Sequence, residues 1–360
     1  MAAIPQTYKL YRRTPITPGN NTNLTIVQNT EPTLPHAGLS AHDVLIKIHA
    51  VSLNYRDLAI LKGTYPLPSD PNGVPLSDAA AEVVKIGSAV SRFAVGDYVS
   101  LTMNTKNLTG KEDDGFAAPG SDVEGVLREY AIYPEGYLVR LPKHLSWEEA
   151  AGMACVGVTA WKSLLLPDTA DQGKTVLIQG TGGVSIFTLL LSLAAGFTPI
   201  ITSSSDAKLE QVKGLGPPGK VLGYNYKAQP DQVQAVSELT NGKGVDIVIN
   251  NVGTASVIQD INSLVEREGT VSLVGYLEGL NATWKHEELV HLIRKAANLK
   301  GIFTGSRDEF QELNNFLEER NVSLKGLVDD RIFSFDEAKE ALEYLESGKH
   351  VGKVVIKVTA

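Results

Sequence analysis

A single cysteine, Cys155, stands among 360 residues. No intrachain disulfide can form, and a reducing compartment, the cytoplasm, is the expected location. Long apolar runs are also missing. The longest, near Ile186 to Ala195, falls far short of the roughly 20 residues that span a bilayer. Met1 to Arg13 has no apolar run ahead of its basic residues, so no secretory signal is expected. A cationic excess is absent: 33 Lys and Arg against 41 Asp and Glu leave a net charge of −8. That argues against nucleic acid or an anionic membrane as partner. Internal repeats and low-complexity tracts are absent as well.

What is there is ordinary in bulk. Hydrophobic residues make up 43% and charged residues 21%, which suits a globular protein long enough for two cores. Residues 1 to about 150 read as β-rich and irregular. Val44–His49, Ala81–Gly87 and Gly96–Leu101 alternate or nearly so, and prolines at 15, 32, 66, 68, 71 and 75 punctuate them. Lys106–Asp122 is polar and glycine-containing, a surface loop by composition. Ser146-Trp-Glu-Glu149 is a capping box that opens a helix.

The period then changes. Strands are expected at Thr175–Gln179, Pro199–Ser203, Lys220–Tyr224, Asp246–Asn250, Thr270–Val274 and Leu299–Thr304, with helices between them. Six strands with helical crossovers make one doubly wound parallel sheet. An exposed helix, Arg307–Arg320, follows. Strand Arg331–Phe335, helix Asp336–Ser347 and strand Lys353–Val358 then have no sheet of their own. They are assigned to the N-terminal domain, giving 1–150 with 323–360, and 151–322.

After the first of these strands comes Gly180-Thr181-Gly182-Gly183-Val184-Ser185. Small residues let the backbone turn sharply and let a pyrophosphate approach the following helix N-terminus. Ser185 stands where the third glycine is usual, and its hydroxyl is a second candidate for a phosphate oxygen. About 20 residues on, an acidic side chain would bond a ribose diol and select NADH. This chain has Ser203, Ser204 and Ser205 there, with Lys208 one turn later. Hydroxyls and an ammonium suit a 2′-phosphate, so NADPH is the expected cofactor. Asp206 opposes this slightly, but as an N-cap it would turn toward its own helix.

The chain resembles the medium-chain dehydrogenase/reductase superfamily, in its zinc-free quinone oxidoreductase-like branch. The resemblance rests on Val51-Ser-Leu-Asn-Tyr-Arg-Asp-Leu58, Pro75-Leu-Ser-Asp78, Val95-Gly-Asp-Tyr-Val99, Pro142–Ala151, Gly157-Val-Thr-Ala-Trp161 and the glycine motif. It implies an α/β fold: a GroES-like β-rich catalytic domain made from both chain ends, plus a Rossmann domain. It implies that Thr159, Asn251, Val274, Gly275, Phe303 and Thr304 lie along the cofactor, and that Lys208 and Tyr226 hold its 2′-phosphate. Lys353 matches a basic residue near the cofactor in some relatives.

The zinc alcohol dehydrogenases of this superfamily use a cysteine, a histidine and a second cysteine or aspartate as ligands. The matching positions here are Asn54, Ser77 and Cys155. Two of these are weak neutral donors, a poor zinc site, and no metal is expected. His286 and His291 give no alternative, because a spacing of five turns them apart on a helix. Without a Lewis acid, hydride must go to an acceptor that is already electron-poor, or to one whose developing charge is met by hydrogen bonds. The expected function is NADPH-dependent reduction of a small enone, enoyl or quinone substrate. Asn54 and Tyr65 are the candidate catalytic groups. An alcohol or aldehyde dehydrogenase, and a non-catalytic NADPH-binding protein like the lens crystallins of this branch, are the alternatives. Oligomeric state stays open: relatives often join Rossmann sheet edges near Leu299–Thr304 as homodimers.

Overall fold

The alternation at Val44–His49 does build a strand in the structure, a computed structural model that describes residues 4–17, 19–33, 38–277, 279 and 281–359. Two compact units divide the chain. The first comprises Met1–Val158, Thr304–Asn321 and Val328–Ala360, the second Thr159–Phe303 and Val322–Leu327.

The first unit opens with an antiparallel hairpin, β1 (Thr7–Thr17) and β2 (Asn20–Pro32). The sequence reading missed it, because Pro15 and Pro32 look like breakers. Pro15 sits at a shift in the pairing register, where a missing N–H is tolerated. There follow β3 (Asp43–Ser52), α1 (Tyr55–Leu61), β4 (Asp78–Ile86), β5 (Tyr98–Leu101), β6 (Tyr130–Pro134), β7 (Leu138–Arg140), α2 (Trp147–Ala151) and α3 (Val156–Ser163). Ser146 caps α2 as read, its hydroxyl accepting from the Glu149 N–H at 3.2 Å.

The second unit alternates: β8 (Thr175–Ile178), α4 (Gly183–Ala194), β9 (Thr198–Ser203), α5 (Asp206–Lys213), β10 (Leu222–Asn225), α6 (Gln232–Leu239), β11 (Ile247–Asn250), α7 (Val257–Ser263), β12 (Thr270–Leu273), α8 (Val290–Lys295) and β13 (Asn298–Gly301). The chain then returns to the first unit with α9 (Arg307–Glu319), β14 (Val328–Ser334), α10 (Ala338–Glu346) and β15 (Lys353–Lys357).

The six strands of the second unit are parallel in the order β10-β9-β8-β11-β12-β13. This is the doubly wound Rossmann order, reversing direction between β8 and β11. β-branched residues fill it: Val176, Ile178, Ile200, Ile201, Val248, Ile249 and Val271 are buried. Each such side chain stabilises the fold by about 1.5–3 kcal/mol.

The first unit's main sheet runs β14-β15-β3-β4-β5-β7, with β6 on β3. β15 pairs antiparallel with β3, so the chain end returns to the N-terminal sheet as expected. Helix α9 groups with this unit, not with the Rossmann unit where the expected boundaries put it. It is not simply exposed either. Phe310, Leu313, Phe316 and Leu317 are buried, and the Asn314 amide donates to the Arg140 carbonyl at the end of β7.

Loop 106–122 is a surface loop only in its first half. Ala117–Ser121 are buried. Buried Arg13 of β1 donates to the Gly120 and Ser121 carbonyls, and Gly120 lies against the Leu76 backbone. A Cβ at Gly120 would come within 2.6 Å of the Leu76 carbonyl oxygen. Leu76 itself is left-handed at φ 67°, a strained state for a branched side chain, held from both sides. It delivers Ser77 to the cluster described next. Among the described residues no helix is long and apolar enough to cross a membrane.

Candidate functional site

The second unit gathers the expected cofactor residues at the C-terminal ends of its strands, where open α/β sheets bind ligands. The glycine turn follows β8. Ser203–Ser205 follow β9, Tyr226 follows β10, Asn251 follows β11, Val274 and Gly275 follow β12, and Phe303 follows β13. Thr159 lies in α3, buried, with its carbonyl accepting from Ser163 Oγ at 2.6 Å. Thr304 falls in the first unit at φ 50°, its buried hydroxyl without a hydrogen-bond partner.

Gly180 has φ 80°, a conformation that favours glycine, and its N–H donates to Thr202 Oγ1 at 3.2 Å. Gly182 is the N-cap of α4 and supplies no capping side chain. A Cβ there would meet nothing within 4 Å. Gly180, Thr181, Gly182, Gly183 and Val184 keep partial exposure. Unfilled space before uncapped N–H groups fits a pyrophosphate.

Ser185 is not available to a phosphate, contrary to the reading of its hydroxyl. It is 2% exposed and donates to the Gln179 carbonyl at 2.8 Å. The Asn251 amide donates to the same carbonyl at 2.9 Å and to Ser185 Oγ at 3.2 Å. Behind them lies a network the sequence did not reveal. Gln179 Oε1 accepts from the Asn251 N–H at 3.1 Å, and Gln179 Nε2 donates to Asp260 at 2.8 Å. Gln232, Asn250 and Ser256 also donate to Asp260. Burial pushes this carboxyl up to about 6, against the pull of its four donors. Only the i, i+4 step from Ser256 to Asp260 hinted at it.

At the end of β9, Ser203 Oγ accepts from the Ser205 N–H at 3.1 Å, and Ser205 Oγ accepts from the Lys208 N–H at 3.4 Å. Both hydroxyls keep a hydrogen to donate. Ser204 is exposed, and Tyr226 is tied back by its N–H to the Ser203 carbonyl at 3.1 Å. Ser205, not Asp206, is the N-cap of α5. Asp206 instead accepts from Asn225 Nδ2 at 2.7 Å, which turns its carboxylate toward β10 rather than its own helix.

The first unit assembles the positions that the resemblance matches to metal ligands. Asn54 precedes α1, is 7% exposed, and its N–H donates to Asp57 Oδ2 at 2.7 Å. Asn54 Nδ2 lies 3.5 Å from Ser77 Oγ, and Ser77 donates to Asp78 Oδ1 at 2.7 Å. The Cys155 N–H donates to Asp78 Oδ2 at 3.2 Å. Lys353, only 2% exposed, does not present its ammonium as a cofactor contact, as the resemblance had implied. It donates to the Leu53 carbonyl and to Asn54 Oδ1, both at 2.7 Å, and lies 3.5 Å from Asp78 Oδ2.

Cys155 keeps some exposed surface, yet burial of the thiol, then the Asp78 carboxylate, push it up to about 12. Asp57 is raised to about 6, by desolvation first, although Arg56 beside it pulls the other way. An amide, a hydroxyl and a protonated thiol around an ammonium do not fit zinc. No group of three or more His, Cys, Asp or Glu among the described residues suits a metal ion. Tyr65 is partly exposed. Arg56 Nε donates to its phenol oxygen at 3.3 Å, and the guanidinium carbon sits 5.1 Å from the ring centroid.

Two family models match: the alcohol dehydrogenase GroES-like domain over residues 40–143, and zinc-binding dehydrogenase over 183–319. A zinc-type alcohol dehydrogenase-like protein of Schizosaccharomyces pombe is 39% identical over 325 residues, covering 89% of this chain and 92% of its own. A 2-methylene-furan-3-one reductase of Solanum lycopersicum is 29% identical over 329 residues, covering 87% and 71%. Among solved structures, an alcohol dehydrogenase candidate of Sinorhizobium meliloti 1021 is 30% identical with a TM-score of 0.86, covering 99% of this chain and 100% of its own. Matching motifs, the two-unit fold and near-complete coverage agree: the chain belongs to the medium-chain dehydrogenase/reductase superfamily and is an oxidoreductase.

Proposed function

We propose that this oxidoreductase uses NADPH, works without zinc, and reduces a conjugated enone or quinone. The observation that carries the reading is the donor set at Asn54, Ser77 and Cys155, gathered with a lysine ammonium. Lewis-acid polarisation of an isolated carbonyl does not suit this donor set. A conjugated acceptor is electron-poor already and needs only hydrogen bonds for the oxygen that gains charge.

When bound, NADPH would supply the chemistry of a hydride, two electrons, for the β-carbon of such a substrate. Asn54 donates an N–H to the carbonyl oxygen as the C=C electrons shift toward it. Tyr65 delivers the proton that restores the carbonyl and saturates the α-carbon. Its phenol oxygen accepts from Arg56, so its own hydrogen is the one left to give. One hydride and one proton account for the product, and Tyr65 regains its proton from solvent. Ser203, Ser204, Ser205, Lys208 and Tyr226 would hold the 2′-phosphate, and the turn at 180–184 the pyrophosphate. The name of the Solanum relative, an enone reductase, supports the substrate class.

NADPH consumption with enones, quinones and aldehydes, with product identification, tests the reading. Saturated ketones or hydroquinones are the expected products. Chelator-sensitive alcohol or aldehyde turnover with stoichiometric zinc would sink it, and would favour the activity that the Schizosaccharomyces relative's name suggests. Tight NADPH binding with no turnover on the whole panel would point to the non-catalytic alternative.

A further inference from the structure

We propose that Lys353 is a built-in cation that takes the place of a metal ion and fixes the orientation of the Asn54 amide. An ammonium has three donors and no acceptor. Here the three face the Leu53 carbonyl, Asn54 Oδ1 and Asp78 Oδ2, at 2.7, 2.7 and 3.5 Å. Because Lys353 can only donate, the Asn54 oxygen must be the atom that meets it. The amide flip that is often ambiguous is settled by this one partner. The NH2 group therefore turns away from the ammonium, toward Ser77 Oγ. The second hydrogen of that NH2 group remains for a further partner, and a donor is what a developing oxyanion needs.

The contacts close a ring. Lys353 donates to Asn54, Asn54 approaches Ser77, Ser77 donates to Asp78, and Asp78 faces Lys353. Asp78 and Lys353 are 0% and 2% exposed, so each neutralises a charge that would be costly alone. Strand pairing holds the ammonium in position. Lys353 opens β15, between β14 and β3, and the Leu53 N–H donates to the adjacent Val354 carbonyl at 3.0 Å. A divalent cation bound among Asn54, Ser77 and Cys155 would sit against this fixed positive charge and find the Asp78 carboxylate already paired.

The inference rests on the proposed reduction only for what Asn54 then donates to. Its test reads metal binding, not turnover, so the two can fail separately. The double variant Asn54→Cys/Ser77→His supplies, with Cys155, two thiolates and an imidazole. We expect it to remain substoichiometric in zinc by elemental analysis, and to give no cobalt–thiolate absorption. Adding Lys353→Met should bring both to one ion per chain. Equal metal binding with and without Lys353, whether full or absent in both, overturns the proposal. A second measurement leaves the ligand positions untouched. Lys353→Met and Asp78→Asn should each lower the melting temperature, and the pair combined should recover most of the loss. Simple addition of the two losses would also overturn it.

Discussion

Lys208 stands in the first turn of α5, three residues past the Ser205 cap whose hydroxyl accepts its N–H. A charge-assisted bond from its ammonium to a phosphate contributes about 1.5–3 kcal/mol, roughly tenfold to a hundredfold in affinity. Lys208→Ala should therefore weaken NADPH by that factor, measured by fluorescence titration, and leave NADH nearly unchanged. Equal losses for the two would remove Lys208 from the phosphate site. The expectation for this position comes from a single segment: serines follow β9 where an acidic residue would select NADH, and Asp206 beyond them is turned to Asn225. The place of Ser185 was not legible in its segment. Whether a hydroxyl faces a ligand or its own backbone depends on Gln179 and Asn251, the latter 66 residues away. The role of Lys353 was hidden for the same reason, its partner Asn54 lying 299 residues earlier.

At the scale of elements, Asp260 in α7 ties together the ends of β8 and β11 through Gln179 and Asn250. Its folded carboxyl is raised from 3.8 to about 6. Between those values the folded chain keeps a proton that the unfolded chain has lost, so this group favours folding below about pH 4 and loses that contribution as pH rises to about 6. The full change is about 3 kcal/mol for a shift of roughly two units. Asp260→Asn lacks the titration. The stability advantage of the natural chain over this variant, from urea unfolding, should shrink as pH goes from 4 to 7. A constant gap would show that the carboxyl is not raised. The six Rossmann strands could be read because buried parallel strands are continuous β-branched runs. The hairpin β1–β2 could not, since its prolines obscure a pattern that only its partner strand and the loop at 117–121 make sense of.

At the scale of the whole molecule, the return of β14 and β15 to the first unit could be anticipated, because two strands without a sheet must find one. The allegiance of α9 could not: its amphipathic face fits any apolar surface, and Arg140 decides which. The Rossmann sheet ends at β13, whose four residues are all exposed and, among the described residues, pair only with β12. An open edge of this kind is a template for another strand. We propose a homodimer joined there, as the resemblance had suggested. Sedimentation velocity should give twice the 38.7 kDa chain mass, and Leu299→Pro should shift it to monomer while unfolding remains cooperative. A monomer in the natural chain would refute it.

The lateness of Lys353 has a consequence for how the protein is made. A ribosome that has released Asn54, Ser77, Asp78 and Cys155 must still synthesise the entire nucleotide-binding sheet before the cation arrives. Throughout that interval the Asp78 carboxylate has no Lys353 to face, and β3 lacks β15 along one edge. Nascent chains thus carry an incomplete first unit until a late strand closes it, and a chain cut short before residue 353 presents an open sheet edge for quality control to recognise.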